Sequence, residues 1–313
     1  MRATDNASGI TRRRLLLTGA AALGAGLAGG VAGTLYWASN STRFLAYVKG
    51  KRNAALGALA RRVLPLEGRR LEVSFGDAIQ RLVAAGVISP AKFRRLYAKR
   101  GGLPPWVARL FEQASAEPIT FSFQTAPYLL NLLWPLGMAT RAGFNAKSPL
   151  NGPDVHRYAS TGGWLLGRAP RGGEYFNRVA AVDMNAEQEG RVLAVAKRCY
   201  RPCCNNSTFF QDCNHGSALL GLYELAAAQG ADEAALYDMG RIANGYWYPD
   251  EYLEMAYFFQ EIEETPWERV PSRRILGKRY SSISGWQQNV HRPLVNAGLA
   301  ANTQFGAASG CGV

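Results

Sequence analysis

Four of the five cysteines in this 313-residue chain fall within fifteen positions. They occupy Cys199-Tyr200-Arg201-Pro202-Cys203-Cys204 and Asp212-Cys213-Asn214-His215-Gly216. No other feature restricts the fold as much. A metal site, a disulfide framework and a reactive thiol each require this stretch to fold back so that its side chains converge. The fifth thiol, Cys311, stands third from the C-terminus in Ser309-Gly310-Cys311-Gly312-Val313.

The surrounding pattern predicts a mainly α-helical chain. Ala54–Val63 reads as a short amphipathic helix stopped before Pro65, and Phe75–Ala85 keeps Ile79, Leu82 and Val83 at helical spacing. Ser89 is an N-cap ahead of Pro90 for a helix Ala91–Lys99 that Gly101-Gly102 closes. Pro104–Glu112 follows. Ser115–Pro118 reads as a break, and Ile119–Phe123 as a short extended piece. Thr125 caps an apolar helix Pro127–Ala139, kinked at Pro135 and too short to span a bilayer. Residues 145–181 are irregular. Asn185 and Gln188 form a capping box for Ala186–Cys199. Asn214 caps His215–Gln229, ended by Gly230; Asp232–Asn244 and Asp250–Ile262 follow, and the tail from Pro266 is loop-like.

This reading puts Cys199 at one helix end, Cys203 and Cys204 in the connecting loop, Cys213 just before the next helix and His215 in its first turn. Two helix ends and one loop then bring Cys199, Cys203, Cys204, Cys213 and His215 towards one point, with Cys311 able to return as a further ligand or disulfide partner. Thiolate and imidazole favour zinc, copper or iron–sulfur iron. The spacing C-x3-C-C-x8-C-x-H matches no standard finger or ferredoxin pattern. The competing expectation is disulfides: Cys203 and Cys204 are adjacent, so each seeks a different partner among Cys199, Cys213 and Cys311. A third is a thiol hydrolase, in which His215, two residues from a Cys213 that Asp212 and Asn214 flank, serves as the base.

The N-terminus sets the compartment. Thr11-Arg12-Arg13-Arg14-Leu15-Leu16 resembles the twin-arginine export signal. Leu15 to Ala38 then carries no charge, and at about 1.5 Å per residue it reaches roughly 36 Å, enough for a hydrocarbon core of about 30 Å. Gly26-x-x-x-Gly30 and Gly29-x-x-x-Gly33 fit a weakly hydrophobic signal. No good small-x-small cleavage site is present, and Tyr36 and Trp37 form an interfacial aromatic belt, so an uncleaved anchor is expected. Arg43, Lys49, Lys51 and Arg52 beyond the span nearly balance the arginines before it, and the twin-arginine match decides for export. The resemblance implies a translocase partner during export and a single-pass protein of the inner membrane with its C-terminal domain on the periplasmic or extracellular side, or a periplasmic protein if the signal is removed.

Charge is uneven. Residues 1–114 hold 19 Lys or Arg against 5 Asp or Glu, a balance of +14, and the rest holds 17 against 18. The excess follows the apolar segment, so anionic lipid head groups are the expected partner. No nucleic-acid motif is present and no such partner is expected. The organisation expected is a basic region 1–14, a signal or transmembrane segment 15–38, a basic membrane-proximal helical region 39–115, and a helical domain 116–313 carrying a loop-borne Cys/His cluster.

Remaining motifs read as structural. Ser160-Thr161-Gly162-Gly163-Trp164 lacks the Gly-Lys-Ser/Thr of a phosphate loop. His156 and His291 read as structural histidines, Tyr246-Trp247-Tyr248-Pro249 with Tyr252, Tyr257, Phe258 and Phe259 as core packing, Asn205 to Thr208 as a polar loop wall, and Glu251, Glu254, Glu261, Glu263 and Glu264 as a solvated helix face. The run from Ala159 through Arg201–Thr208 and Asp212–Gly216 to the Gly-Cys-Gly-Val end resembles an uncharacterised bacterial family over most of residues 70–313, which implies no activity, cofactor or substrate. The expectation is an exported, membrane-anchored protein with a metal-binding or redox Cys/His centre; its rivals are a disulfide-stapled scaffold and a thiol hydrolase.

Overall fold

A computed structural model describes residues 54–162 and 166–300. Arg12, Arg13, the apolar segment 15–38 and Cys311 lie outside them. The described part is mainly helical with one small antiparallel sheet. Among these residues no helix is long and apolar enough to cross a membrane.

The first helix, α1 (Ala54–Val63), leads into strand β1 (Arg69–Gly76), where Leu71, Val73 and Phe75 point inwards and their neighbours outwards. Phe75, expected to open a helix, lies within that strand; helix α2 starts after it and spans Ala78–Ala84. Gly68, at φ +92, makes the turn into β1, and a Cβ there would lie 2.5 Å from the Phe121 carbonyl oxygen.

In α3 (Pro90–Tyr97) the Ser89 hydroxyl accepts a hydrogen bond from the Lys92 N–H, with proline in the first turn and left-handed Gly101 beyond a closing 3-10 turn. Helix α4 covers Pro105–Leu110. Strand β2 (Ser115–Phe121) pairs with β1 in the register Arg69 to Phe121 and Gly76 to Ser115. The expected break at Ser115–Pro118 is therefore the first half of a strand.

Helix α5 (Ala126–Ala139) carries Pro135 inside it and is buried over most of its length. Helix α6 (Ala186–Ala196) has the full capping box, with Asn185 and Gln188 each bonded to the other's backbone N–H. It stops three residues short of Cys199. Helix α7 (Asn214–Ala228) lies against α5 along the most extensive helix pair of the fold. Gly137 and Gly221 meet at that crossing: a Cβ on Gly221 would lie 2.5 Å from the Leu133 carbonyl oxygen and 2.7 Å from the Gly137 nitrogen. Helices α8 (Glu233–Trp247) and α9 (Pro249–Glu261) complete the central layer.

Beyond Pro266 the chain is not loop-like. It forms one-turn helices at Ser272–Ile275, Lys278–Ser281 and Ile283–Trp286, a π turn at Gln287–His291 and a last turn at Arg292–Asn296. A single hydrophobic core runs through all of this, from Leu59 to Leu294. Glu254 is another departure from expectation: it is buried, with Oε2 2.9 Å from His291 Nδ1, and the imidazole stacks on Trp286.

Candidate metal centre

The loop after α6 is folded by its own backbone. Cys199 continues the helical bonding to Val195, and its carbonyl accepts from the Thr208 N–H and hydroxyl at 2.8 and 3.1 Å. The Phe209 N–H reaches back to the Ala196 carbonyl. The C-terminal turns clamp the outside: Ile283 N–H donates to the Cys204 carbonyl, Tyr200 N–H to the Leu276 carbonyl, and Ser284 binds Asn205 Oδ1 through both N–H and hydroxyl. These bonds deliver Cys203 and Cys204 to the start of α7.

Cys213, rather than Asn214, is the N-cap of α7. Its Sγ accepts from the Gly216 N–H at 3.4 Å, the place a serine oxygen would take. Cys203 Sγ lies 3.6 Å from Cys213 Sγ. His215, in the first turn of α7, packs against Trp247 and Tyr248. One ligand-type atom from each of Cys203, Cys213 and His215 lies within 4.8 Å of the others. Nδ1 of His215 is buried and meets no hydrogen-bond donor or acceptor among the described residues. Burial pushes the imidazole down to about 4, against the pull of Cys213, so the ring is neutral at neutral pH.

A second group, Cys204, Asp212 and Cys213, has its ligand-type atoms within 4.8 Å of one another and shares Cys213 with the first. A cation already occupies it. The Arg201 side chain is fully buried, and its Nη2 donates to Asp212 Oδ1 at 3.0 Å, Cys204 Sγ at 3.2 Å and Cys213 Sγ at 3.5 Å. Burial acts to lower the Arg201 pKa, but Cys213, Cys204, Cys203 and Asp212 more than offset it, and the guanidinium stays charged. Gly216 leaves room for it, since a Cβ there would stand 2.8 Å from Nη2. Asp212 accepts a further bond from Asn206 at 2.8 Å. Its carboxyl is raised chiefly by burial and then by Cys213, with Arg201 pulling the other way.

The structure thus brings Cys203, Cys204, Cys213 and His215 together and leaves Cys199 out. Cys199 is fully buried and belongs to neither group. Burial pushes its thiol up to about 12, against the pull of Tyr223 and Arg201. No disulfide joins the four described cysteines.

Arg201, Trp247 and Tyr248 are the additions to the site; Asp212, expected as a neighbour of Cys213, joins it through its pairing with Arg201. Arg201 carried a signal, as the one charged residue between Cys199 and Cys204. Tyr248 belongs to the aromatic run assigned to the core; its ring lies on His215 while its hydroxyl is buried beside Cys203. Tyr246 and Tyr252 of the same run are core residues, as expected. No family model, curated protein sequence or solved structure matches the chain.

Proposed function

We propose that this is an exported, membrane-anchored protein whose folded domain holds a single thiolate-preferring metal ion on Cys203, Cys213 and His215. The observation that carries the metal reading is the preformed donor set. Two thiolates bound tetrahedrally to one ion at about 2.3 Å would stand about 3.8 Å apart, and the two sulfurs stand 3.6 Å apart. The imidazole beside them is held neutral with a buried, unpartnered nitrogen. An unpartnered buried polar atom is costly, and an ion bound through that nitrogen would remove the cost.

The donor set narrows the metal class. Two sulfurs and one nitrogen suit zinc or monovalent copper, whereas iron–sulfur clusters are held mostly by cysteine thiolates, of which this group has two. Three protein ligands also leave one coordination position for water, substrate or a receiving ligand, the arrangement of reactive rather than purely structural sites. Export and anchoring rest on Arg12, Arg13 and the uncharged run from Leu15 to Ala38. The basic stretch that follows is suited to anionic lipid.

The test is metal analysis of the full chain purified under reducing conditions without chelator. One zinc or copper per chain is expected, and cobalt substitution should give the intense near-ultraviolet band of sulfur-to-metal charge transfer. Cys213→Ser should lose the ion, while Cys199→Ser should keep it. A reduced chain that takes up no metal sinks the proposal in favour of the disulfide-stapled scaffold. Export is tested separately: Arg12→Lys with Arg13→Lys should retain the protein in the cytoplasm.

A further inference from the structure

We propose that Cys203 and Cys213 are also a reversible dithiol/disulfide couple, so that the centre holds its ion only in the reduced state and releases it when a small disulfide oxidises the pair. This rests on the metal reading of the site and adds its regulation. The two sulfurs that serve as ligands are already in contact at 3.6 Å. Forming a bond of about 2.0 Å requires them to close by roughly 1.6 Å.

The surroundings assign the roles. Cys203 sits in the loop and is partly exposed, whereas Cys213 is 4% exposed. An external disulfide therefore reaches Cys203 before Cys213. Cys213 is held in place by the Gly216 N–H and by Arg201 Nη2, with its sulfur directed at Cys203. Cys204 is tied to Arg201 Nη2 at 3.2 Å, and that same nitrogen also contacts Cys213. Cys199 is fully buried and outside both donor groups, so it takes no part.

The exchange proceeds in two displacements. Cys203 Sγ attacks one sulfur of the external disulfide, forming a mixed disulfide and releasing the first small thiolate. Cys213 Sγ then attacks the Cys203 sulfur, forming the protein disulfide and releasing the second. The two protein sulfurs together lose two electrons and the external disulfide gains them. Any proton carried by the cysteines passes to the released thiolates. Two of the three donors are then consumed, and His215 alone cannot retain the ion.

The experiment is a titration of the full, reduced, zinc-loaded chain with oxidised glutathione. Released zinc, remaining thiols and cross-linked peptides are measured together. One zinc released for every two thiols consumed is expected, with a Cys203–Cys213 link in the peptide map and recovery of zinc binding after dithiothreitol. Cys204→Ser should behave in the same way. Zinc that stays bound while thiols are lost at Cys204 or Cys311 overturns the proposal. So does a Cys204–Cys213 link, or a glutathione adduct on Cys203 that persists. A reduced chain that never takes up zinc fails the metal reading itself, and the gate with it; zinc bound but indifferent to the disulfide fails the gate alone.

Discussion

The ion pair under the thiols predicts an unequal pair of mutants. Arg201 is fully buried and Asp212 is 17% exposed, with Nη2 and Oδ1 3.0 Å apart. Breaking a buried pair by removing one partner costs about 3–5 kcal/mol, because the other charge is stranded. In Arg201→Met the stranded group is a carboxylate that keeps its Asn206 bond and some water contact, and whose pKa burial already raises. It can escape by protonating, which places this variant near the lower end, about 3 kcal/mol. In Asp212→Asn the guanidinium loses its carboxylate partner; it has no exposure, two unpartnered nitrogens and no accessible neutral form, and keeps only its contacts to the Cys204 and Cys213 sulfurs. That variant belongs at the upper end, about 5 kcal/mol. The double variant Arg201→Met/Asp212→Asn strands neither charge and should lose less than the sum, with a coupling of at least about 2 kcal/mol. Thermal unfolding of reduced protein in chelator reads this directly, at roughly 2–4 °C per kcal/mol for a domain of this size. Additive losses, or a larger loss in Arg201→Met than in Asp212→Asn, would refute the reasoning.

Two further substitutions probe the scaffold beneath the site. Gly221→Ala sets a methyl group 2.5 Å from the Leu133 carbonyl oxygen, which is backbone and cannot swing aside; helices α5 and α7 must separate, at a cost of about 3 kcal/mol, and unchanged thermal stability would show that the crossing is loose. Glu224, fully buried on α7, stays protonated in the folded chain because burial raises its pKa well above 4.5, whereas in the unfolded chain it ionises above about that pH. The folded state then binds more protons, so this residue lowers stability as pH rises from there, by up to about 1.4 kcal/mol per unit; Glu224→Gln should gain stability relative to the parent as pH rises above about 4.5, and parallel pH profiles would count against it.

Local chemistry was legible in the sequence; long-range placement was not. The Ser89-Pro90 start and the Asn185–Gln188 box could be read because a cap is formed by residues three apart. Strand β1 was missed although Leu71, Val73 and Phe75 alternate, because Phe75 also fits the spacing of the helix beyond it. The tail was missed for a different reason. Its one-turn helices are too short for any periodicity and are held by distant partners, such as the Cys204 carbonyl for Ile283 and Tyr200 for Leu276. At the site, the chain reversal that gathers Cys203, Cys204, Cys213 and His215 follows from a loop between two helix ends. The exclusion of Cys199 does not, since it depends on the direction in which a side chain leaves a fraying helix end. Nor does Arg201, whose burial needs Asp212 eleven residues on and the missing side chain of Gly216.

Those last two residues explain why three clustered thiols, a carboxylate and an imidazole should hold one ion rather than two. The two donor groups share Cys213, and a shared thiolate is the usual bridge of a two-metal site. Here Arg201 Nη2 touches all three members of one group, at 3.0, 3.2 and 3.5 Å. On the metal reading, Arg201 stands where a second ion would sit, which leaves the Cys203–Cys213–His215 group for the metal. Arg201→Met removes that cation and leaves Cys204, Asp212 and Cys213 as an unfilled donor set. Added zinc should then raise the stoichiometry of the variant from one towards two per chain and recover part of the stability lost in chelator. A variant that still binds one ion, with no metal-dependent recovery, would show that the guanidinium does not stand in for a metal and that Cys204 serves the centre in some other way.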